Sequence, residues 1–236
     1  MRKTLVLAAV ALLGGAIAQR GWASSLEVTP VLIALTGGRT AATIELTNRG
    51  DAPSAIQARM YRWSQSGDTD ALVPTQDLIV SPPIFTIQQA GAQTLRVLLR
   101  HAAAGGEHTY RMLLDEVPTA AGPRRRVSFT VRLSLPVIVD AADAAQPALQ
   151  WRAQHGPAGQ TLLIVSNTGQ GYDQVRTIDV TLANGRHVKA TAIGGNPYVL
   201  PGAERHWIVQ DRSGAGGPLH VSVSTLSGKH ELTLTP

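Results

Sequence analysis

The sequence contains no cysteine, which removes disulfide staples, thiolate metal sites and thiol nucleophiles together. Its stability has to come from hydrophobic cores, and the roughly 210 residues beyond the N-terminal segment can supply two ordinary domains. After Ala18 no apolar run approaches the ~20 residues that a membrane helix needs, so no membrane insertion is expected. Catalytic patterns are missing too. The histidines at 101, 108, 155, 187, 206, 220 and 230 are scattered with no zinc or hydrolytic spacing. Gly228-Lys229 lacks the upstream glycine of a phosphate loop, and no Gly-x-Ser-x-Gly elbow occurs. Asp115 and Glu116 are adjacent, so on a strand they face opposite ways and make no cooperating carboxylate pair. No enzyme, no cofactor and no metal site is expected. The formal charge of +5 includes Arg2, Lys3 and Arg20, and removing those three leaves +2. A nucleic-acid partner therefore has no electrostatic footing. Arg124-Arg125-Arg126 reads as a solvated loop.

What the chain does contain begins with an export signal. Met1-Arg2-Lys3 is a short basic start, and Leu5 to Ala18 is an uncharged apolar run broken by Gly14 and Gly15. Small-x-small sites follow at Ala16-Ile17-Ala18 and Gly21-Trp22-Ala23. This is the layout of a secretory signal, with cleavage after Ala18 or Ala23, the latter favoured because strand-like text starts at Leu26.

Past the signal no helical period is sustained. Short segments with two-residue alternation are separated by Gly, Pro, Asn and Asp clusters, the pattern of an all-β sandwich. Seven strands are expected first: Leu26 to Leu35, Thr40 to Thr47, Ala55 to Trp63, Asp77 to Val80, Thr94 to Leu99, His108 to Val117 and Arg125 to Val139. Pro30 marks the first as edge or bulged, Ser64 to Asp70 reads as a polar loop, and Pro82-Pro83 as a break. Ala141 to Pro147 reads as a linker. Seven more strands follow: Leu149 to Arg152, Thr161 to Ser166, Val175 to Leu182, Val188 to Ile193, His206 to Val209, His220 to Ser224 and Glu231 to Thr235. The expected division is a signal over 1–23, a first immunoglobulin-like domain over 24–140, a linker over 141–147 and a second domain over 148–236. Trp63, Trp151 and Trp207 read as core or edge aromatics, not as a sugar-stacking platform.

The most informative stretch is Arg125 to Val139. Val127, Phe129, Val131, Leu133 and Leu135 alternate with Ser128, Thr130, Arg132 and Ser134, so one face carries five consecutive large apolar groups. A plain core strand would read the same way. The surrounding text decides between them: Leu26-Glu27-Val28-Thr29-Pro30, Tyr61-Arg62-Trp63, Leu78-Ile79-Val80-Ser81-Pro82-Pro83, Tyr110 through Pro118, and Arg132-Leu133-Ser134-Leu135-Pro136-Val137. Together these resemble the PapD-like periplasmic pilus-assembly chaperones, especially the archaic, spore-coat-U-type chaperone–usher branch. The second domain is a looser match, best at Tyr198-Val199-Leu200-Pro201-Gly202.

The resemblance implies two immunoglobulin-like sandwiches in an L or boomerang, periplasmic location, pilus subunits as clients and an outer-membrane usher as receiver. It implies that the last strand of the first domain, through Val127, Phe129, Val131 and Leu133, completes a subunit that lacks one strand. Such strand addition combines backbone hydrogen bonds with alternate side chains in a groove. Burying four such groups yields roughly 6–12 kcal/mol gross at about 1.5–3 each. The family also anchors the subunit's terminal carboxylate with basic residues. Arg132 matches the last-strand position, whereas the first-strand position is Leu32, leaving Arg132 alone or with Arg111. An exposed apolar edge of this kind favours self-association of the free protein. The competing reading is a structural or adhesive module of a surface fibre, whose apolar row would be sealed within the monomer.

Overall fold

The computed structural model describes residues 26–101, 105–118, 130–140, 145–156, 160–211 and 217–236. The signal-peptide expectation and the Arg124-Arg125-Arg126 run lie outside them. Among the described residues, apart from one short 3-10 turn, Ile193–Gly195, the regular structure is all β.

The first sandwich starts with a chain that changes sheets. β1 (Leu26–Thr29) pairs antiparallel with β3 (Ala41–Asn48), while β2 (Ile33–Leu35) pairs parallel with β10 (Arg132–Asp140). The single strand expected over Leu26 to Leu35 is thus two. The physical reason is Pro30, which has no N–H to offer a ladder and releases the chain from one sheet to the other. The first sheet runs β1-β3-β8-β6, with β6 at Leu78–Ser81 and β8 at Ala92–Leu99. The facing sheet runs β2-β10-β9-β4-β5, with β4 at Ser54–Ser66, β5 at Thr69–Pro74 and β9 at Glu107–Val117. A further strand, β7 (Ile84–Ile87), pairs with β4 beyond the double proline. Two-residue alternation turns Ile44 and Leu46 inward and leaves Glu45 exposed. The core between the sheets is built from groups such as Ile33, Leu46, Ile56, Leu95, Met112, Leu114 and Val137.

The second sandwich is one curled sheet, β11-β12-β16-β14-β13-β17-β18, with β15 attached to β13. The strands are β11 (Leu149–His155), β12 (Thr161–Asn167), β13 (Asp173–Thr181), β14 (His187–Ala192), β15 (Tyr198–Val199), β16 (Glu204–Val209), β17 (Leu219–Thr225) and β18 (Lys229–Leu234). Leu163, Val165, Val180, Trp207, Val221 and Val223 fill it, and Trp151 lies 5.7 Å from Trp207. Both sandwiches use a buried strand-end asparagine to hold a turn. Asn48 donates to the Ala52 and Ile87 carbonyls, and Asn167 to those of Gly171 and Val199.

The expected polar loop over Ser64 to Asp70 is instead a hairpin. β4 continues to Ser66, Gly67-Asp68 forms the two-residue turn with Gly67 at φ +54°, and β5 starts at Thr69. That hairpin reaches across to the second sandwich. The Asp68 carboxylate accepts the His206 backbone N–H and contacts its Nδ1, each at 2.8 Å. Arg205, 1% exposed, donates to the Asn196 carbonyl at 3.1 Å and lies 3.6 Å from Asp70. Gln65 donates to the Tyr198 carbonyl and accepts the Leu200 N–H. Trp63 closes the joint, packed with Leu200, Ala203, Tyr172 and Tyr198.

Candidate functional site

β10 is paired on one side along its whole length, Arg132–Asp140 against β9. On the other side β2 covers only Val137–Val139. Among the described residues no strand flanks Arg132 to Pro136 on that side, so a stretch of backbone edge is unpaired; Arg132 and Ser134 on it are exposed, whereas Leu135 and Pro136 are buried. The direction of its peptide groups follows from one bond: the Glu116 N–H donates to the Val131 carbonyl at 2.9 Å. In an antiparallel ladder, bonded and non-bonded residues alternate. Odd-numbered residues of β10 therefore turn their peptide groups to β9, and Arg132, Ser134 and Pro136 turn theirs to the open side.

The apolar row divides along the strand. Leu135, Val137 and Val139 are sealed in the first sandwich's own core, and Leu133 is half-buried against it. Val131 is half-buried at the rim. Val127 and Phe129 lie outside the described residues. Val131 and Leu133 thus stand where the core ends and the open edge begins.

Arg132 points to the opposite face, as its parity requires. It pairs with Asp115, which also binds Arg59. Burial pushes the Asp115 carboxyl up, but the hydrogen bonds from Arg132 and Arg59 outweigh this and hold it below the usual range. Arg59, from β4, is a cation at this place that sequence reasoning missed. Its signal was its odd position on a strand whose odd residues, Tyr61 and Trp63, line the same face.

Arg111 lies opposite Pro136, whereas Arg132 lies opposite Asp115. Four residues separate the two along the ladder, roughly 13 Å at the strand rise, so they do not act on one point. Arg111 lies with its guanidinium 3.8 Å from the Trp63 ring centroid and 5.2 Å from that of Tyr198. No hydrogen-bond acceptor among the described residues meets it. Burial pulls its guanidinium below the ordinary value, partly offset by Tyr198 and Asp70. It remains an arginine cation, half-buried, stacked and available. Leu32 is half-buried beside the start of β2 and brings no charge.

A separate open groove of about 330 Å³ lies between β4 and β6, lined by Arg59, Tyr61, Gln76, Ile79 and Arg100 among others. Its lining includes no aspartate, glutamate or histidine, so it presents no acid–base pair.

The family model described as "Pili and flagellar-assembly chaperone, PapD N-terminal domain" matches residues 25–143. The chain belongs to this chaperone family. An uncharacterized fimbrial chaperone of Escherichia coli strain K12, YhcA, is 24% identical over 164 residues, 69% of each chain. Among solved structures, one chain of the CsuC–CsuE chaperone–tip adhesion subunit pre-assembly complex, from archaic Csu pili of Acinetobacter baumannii, superposes with a TM-score of 0.65. It is 22% identical, covering 90% of this chain and 99% of that one. The Escherichia coli chaperone DraB gives 0.62 at 17% identity, covering 90% and 97%. A chain of the Salmonella enterica SafA pilin–SafB chaperone complex gives 0.62 at 18%, covering 91% and 97%. The fold is that of the two-domain immunoglobulin-like pilus chaperones.

Proposed function

We propose that this chaperone acts in the periplasm, reached through the N-terminal signal over 1–23, and lends the open edge of β10 to an incomplete pilus subunit, which it delivers to an outer-membrane usher. The observation that carries this reading is the unpaired edge over Arg132 to Ser134, with Val131 and Leu133 at the rim and cations on the adjoining face. A client strand laid along it would bond to the peptide groups of Arg132 and Ser134. Its alternate side chains would meet the row Val127, Phe129, Val131 and Leu133. Subunit exchange then needs no acid, base or metal, only an apolar ladder on a rigid sandwich.

For the client's terminal carboxylate the two arginines are unequal. Arg132 already has Asp115, whereas Arg111 has aromatic faces and, among the described residues, no acceptor. Arg111 therefore takes the anchoring role in this reading, with Arg132 and Arg59 supplying the positive field around Asp115.

Co-expression with a pilus subunit tests it. The subunit should survive proteolysis with the intact chaperone and be degraded when Phe129→Asp and Val131→Asp are combined in a chaperone that still folds. Equal protection by that double variant would remove the strand from the mechanism. Arg111→Ala should weaken the complex by about tenfold, as loss of one charged hydrogen bond implies, with Arg132→Ala having the smaller effect.

A further inference from the structure

We infer that Pro136 is a register stop: it fixes how far along β10 a client strand can pair and so places the end of that strand beside Arg111. This rests on the strand-lending reading above. Three observations converge on the residue. The ladder parity turns the Pro136 peptide position toward the open side, where a proline has no N–H to give. One residue further on, β2 occupies that side, with Ile33 opposite Val137. And the cross-strand neighbour of Pro136 on β9 is Arg111, the cation over the Trp63 ring that no described residue meets as an acceptor.

The consequence is a counting rule. On the open side Arg132 and Ser134 each offer an N–H and a C=O, and beyond Ser134 the supply of donors ends. A guest strand running in the β2 direction can be fully bonded as far as Leu133. Its next residue facing the edge, opposite Leu135, can donate to the Ser134 carbonyl but finds no donor for its own carbonyl. A strand that pushes further forfeits hydrogen bonds and meets β2. One that stops short leaves Ser134 unpaired and its carboxylate short of Arg111. Because the strand period is two, a slip of one residue would also turn the guest's apolar side chains to the wrong face. The allowed registers are therefore spaced by two, and Pro136 selects among them.

The chain's lack of cysteine makes a direct test available. Thr130, exposed and just upstream of β10, is replaced by cysteine in the full chain. The probes are synthetic peptides of alternating valine and threonine with a free C-terminal carboxylate, each with one cysteine at a different distance from that end. Disulfide exchange yields then map the register. In the Pro136 background one cysteine position should dominate by roughly fivefold over its neighbours two residues away, the worth of one ladder hydrogen bond. Pro136→Val should move the maximum two residues further from the carboxylate. Ser134→Pro, which shifts the stop upstream and does not require Pro136→Val to fold, should move it two residues nearer. A maximum unmoved by both substitutions but abolished by amidated peptides or Arg111→Ala would overturn the stop and leave strand lending standing. No selective cross-linking to any peptide would overturn both.

Discussion

The joint between the sandwiches can be opened with one methyl group. Gly194 and Gly195 adopt nearly the same left-handed backbone, φ +73° and +71°. An alanine at either costs about 1–2 kcal/mol for that conformation alone. Their surroundings differ. A Cβ on Gly194 would lie 2.6 Å from the Asp68 carbonyl oxygen, whereas a Cβ on Gly195 meets nothing within 4 Å. Gly194→Ala therefore has to lift the β4–β5 hairpin away from the second sandwich, and with it go the two 2.8 Å contacts of Asp68 with His206. Hydrogen bonds to charged groups contribute roughly 1.5–3 kcal/mol each, less at sites about a fifth exposed, so the excess over Gly195→Ala should be about 2–4 kcal/mol. At about 2–4 °C per kcal/mol for a chain of this size, calorimetry should show a further drop of roughly 5–15 °C. The wild type and Gly195→Ala should melt in one transition, and Gly194→Ala in two, as the sandwiches uncouple. If the two alanine variants melt within about 2 °C of each other, the hairpin is not what joins the domains.

Other outcomes follow from single sites. Trp63 is 2% exposed at the centre of the joint, and Trp63→Ala should destabilise by about 3–5 kcal/mol in denaturant titration. Asp173, fully buried, accepts the backbone N–H groups of Leu226 and Ser227 and the Ser227 hydroxyl; Asp173→Ala should cost about 2–4 kcal/mol, measured as a shifted melting midpoint. The depressed Asp115 carboxyl contributes stability that is present above its unfolded value near 4 and is lost as pH falls through its lower folded value. Because its arginine partners are exposed, the amount is about 1 kcal/mol, and Asp115→Asn should flatten that part of the acid unfolding curve.

Much of the first sandwich was legible because two-residue alternation and turn residues report directly on which groups face inward. Ala42, Ile44 and Leu46 share one face by parity and point to the core, Ala42 half-buried and the other two fully. What alternation reports is facing, not partnership. It could not tell that Leu26 to Leu35 serves two sheets, although Pro30 was the place where it had to break. The Gly67-Asp68 turn carried a recognised two-residue hairpin signal, but the polar residues around it disguised two strands as a loop. They are polar because the hairpin's neighbours are Arg205, His206 and Asn196 of the other sandwich, contacts that no local pattern can show. Arg111 is legible in the sequence as a cation near the expected anchor. That its guanidinium is held by one aromatic from each sandwich depends on Tyr198, 87 positions later in the chain.

That last contact links the two halves of the molecule to the open edge. Trp63 reaches Arg111 from β4, on the same sheet, and Tyr198 reaches it from the second sandwich, 5.3 Å from Trp63 in an edge-on arrangement. Either ring alone would leave the guanidinium a rotatable, fully solvated charge, and a mobile cation at the end of a strand site sets no position. With both, it is held between two rings, and no described residue is its hydrogen-bond acceptor. The bracket exists only while the β4–β5 hairpin is docked, since Gln65 ties the backbone on both sides of Val199 to that hairpin. A sandwich with an open edge could lend a strand by itself. What the second sandwich adds is a fixed charge at the point where the edge runs out.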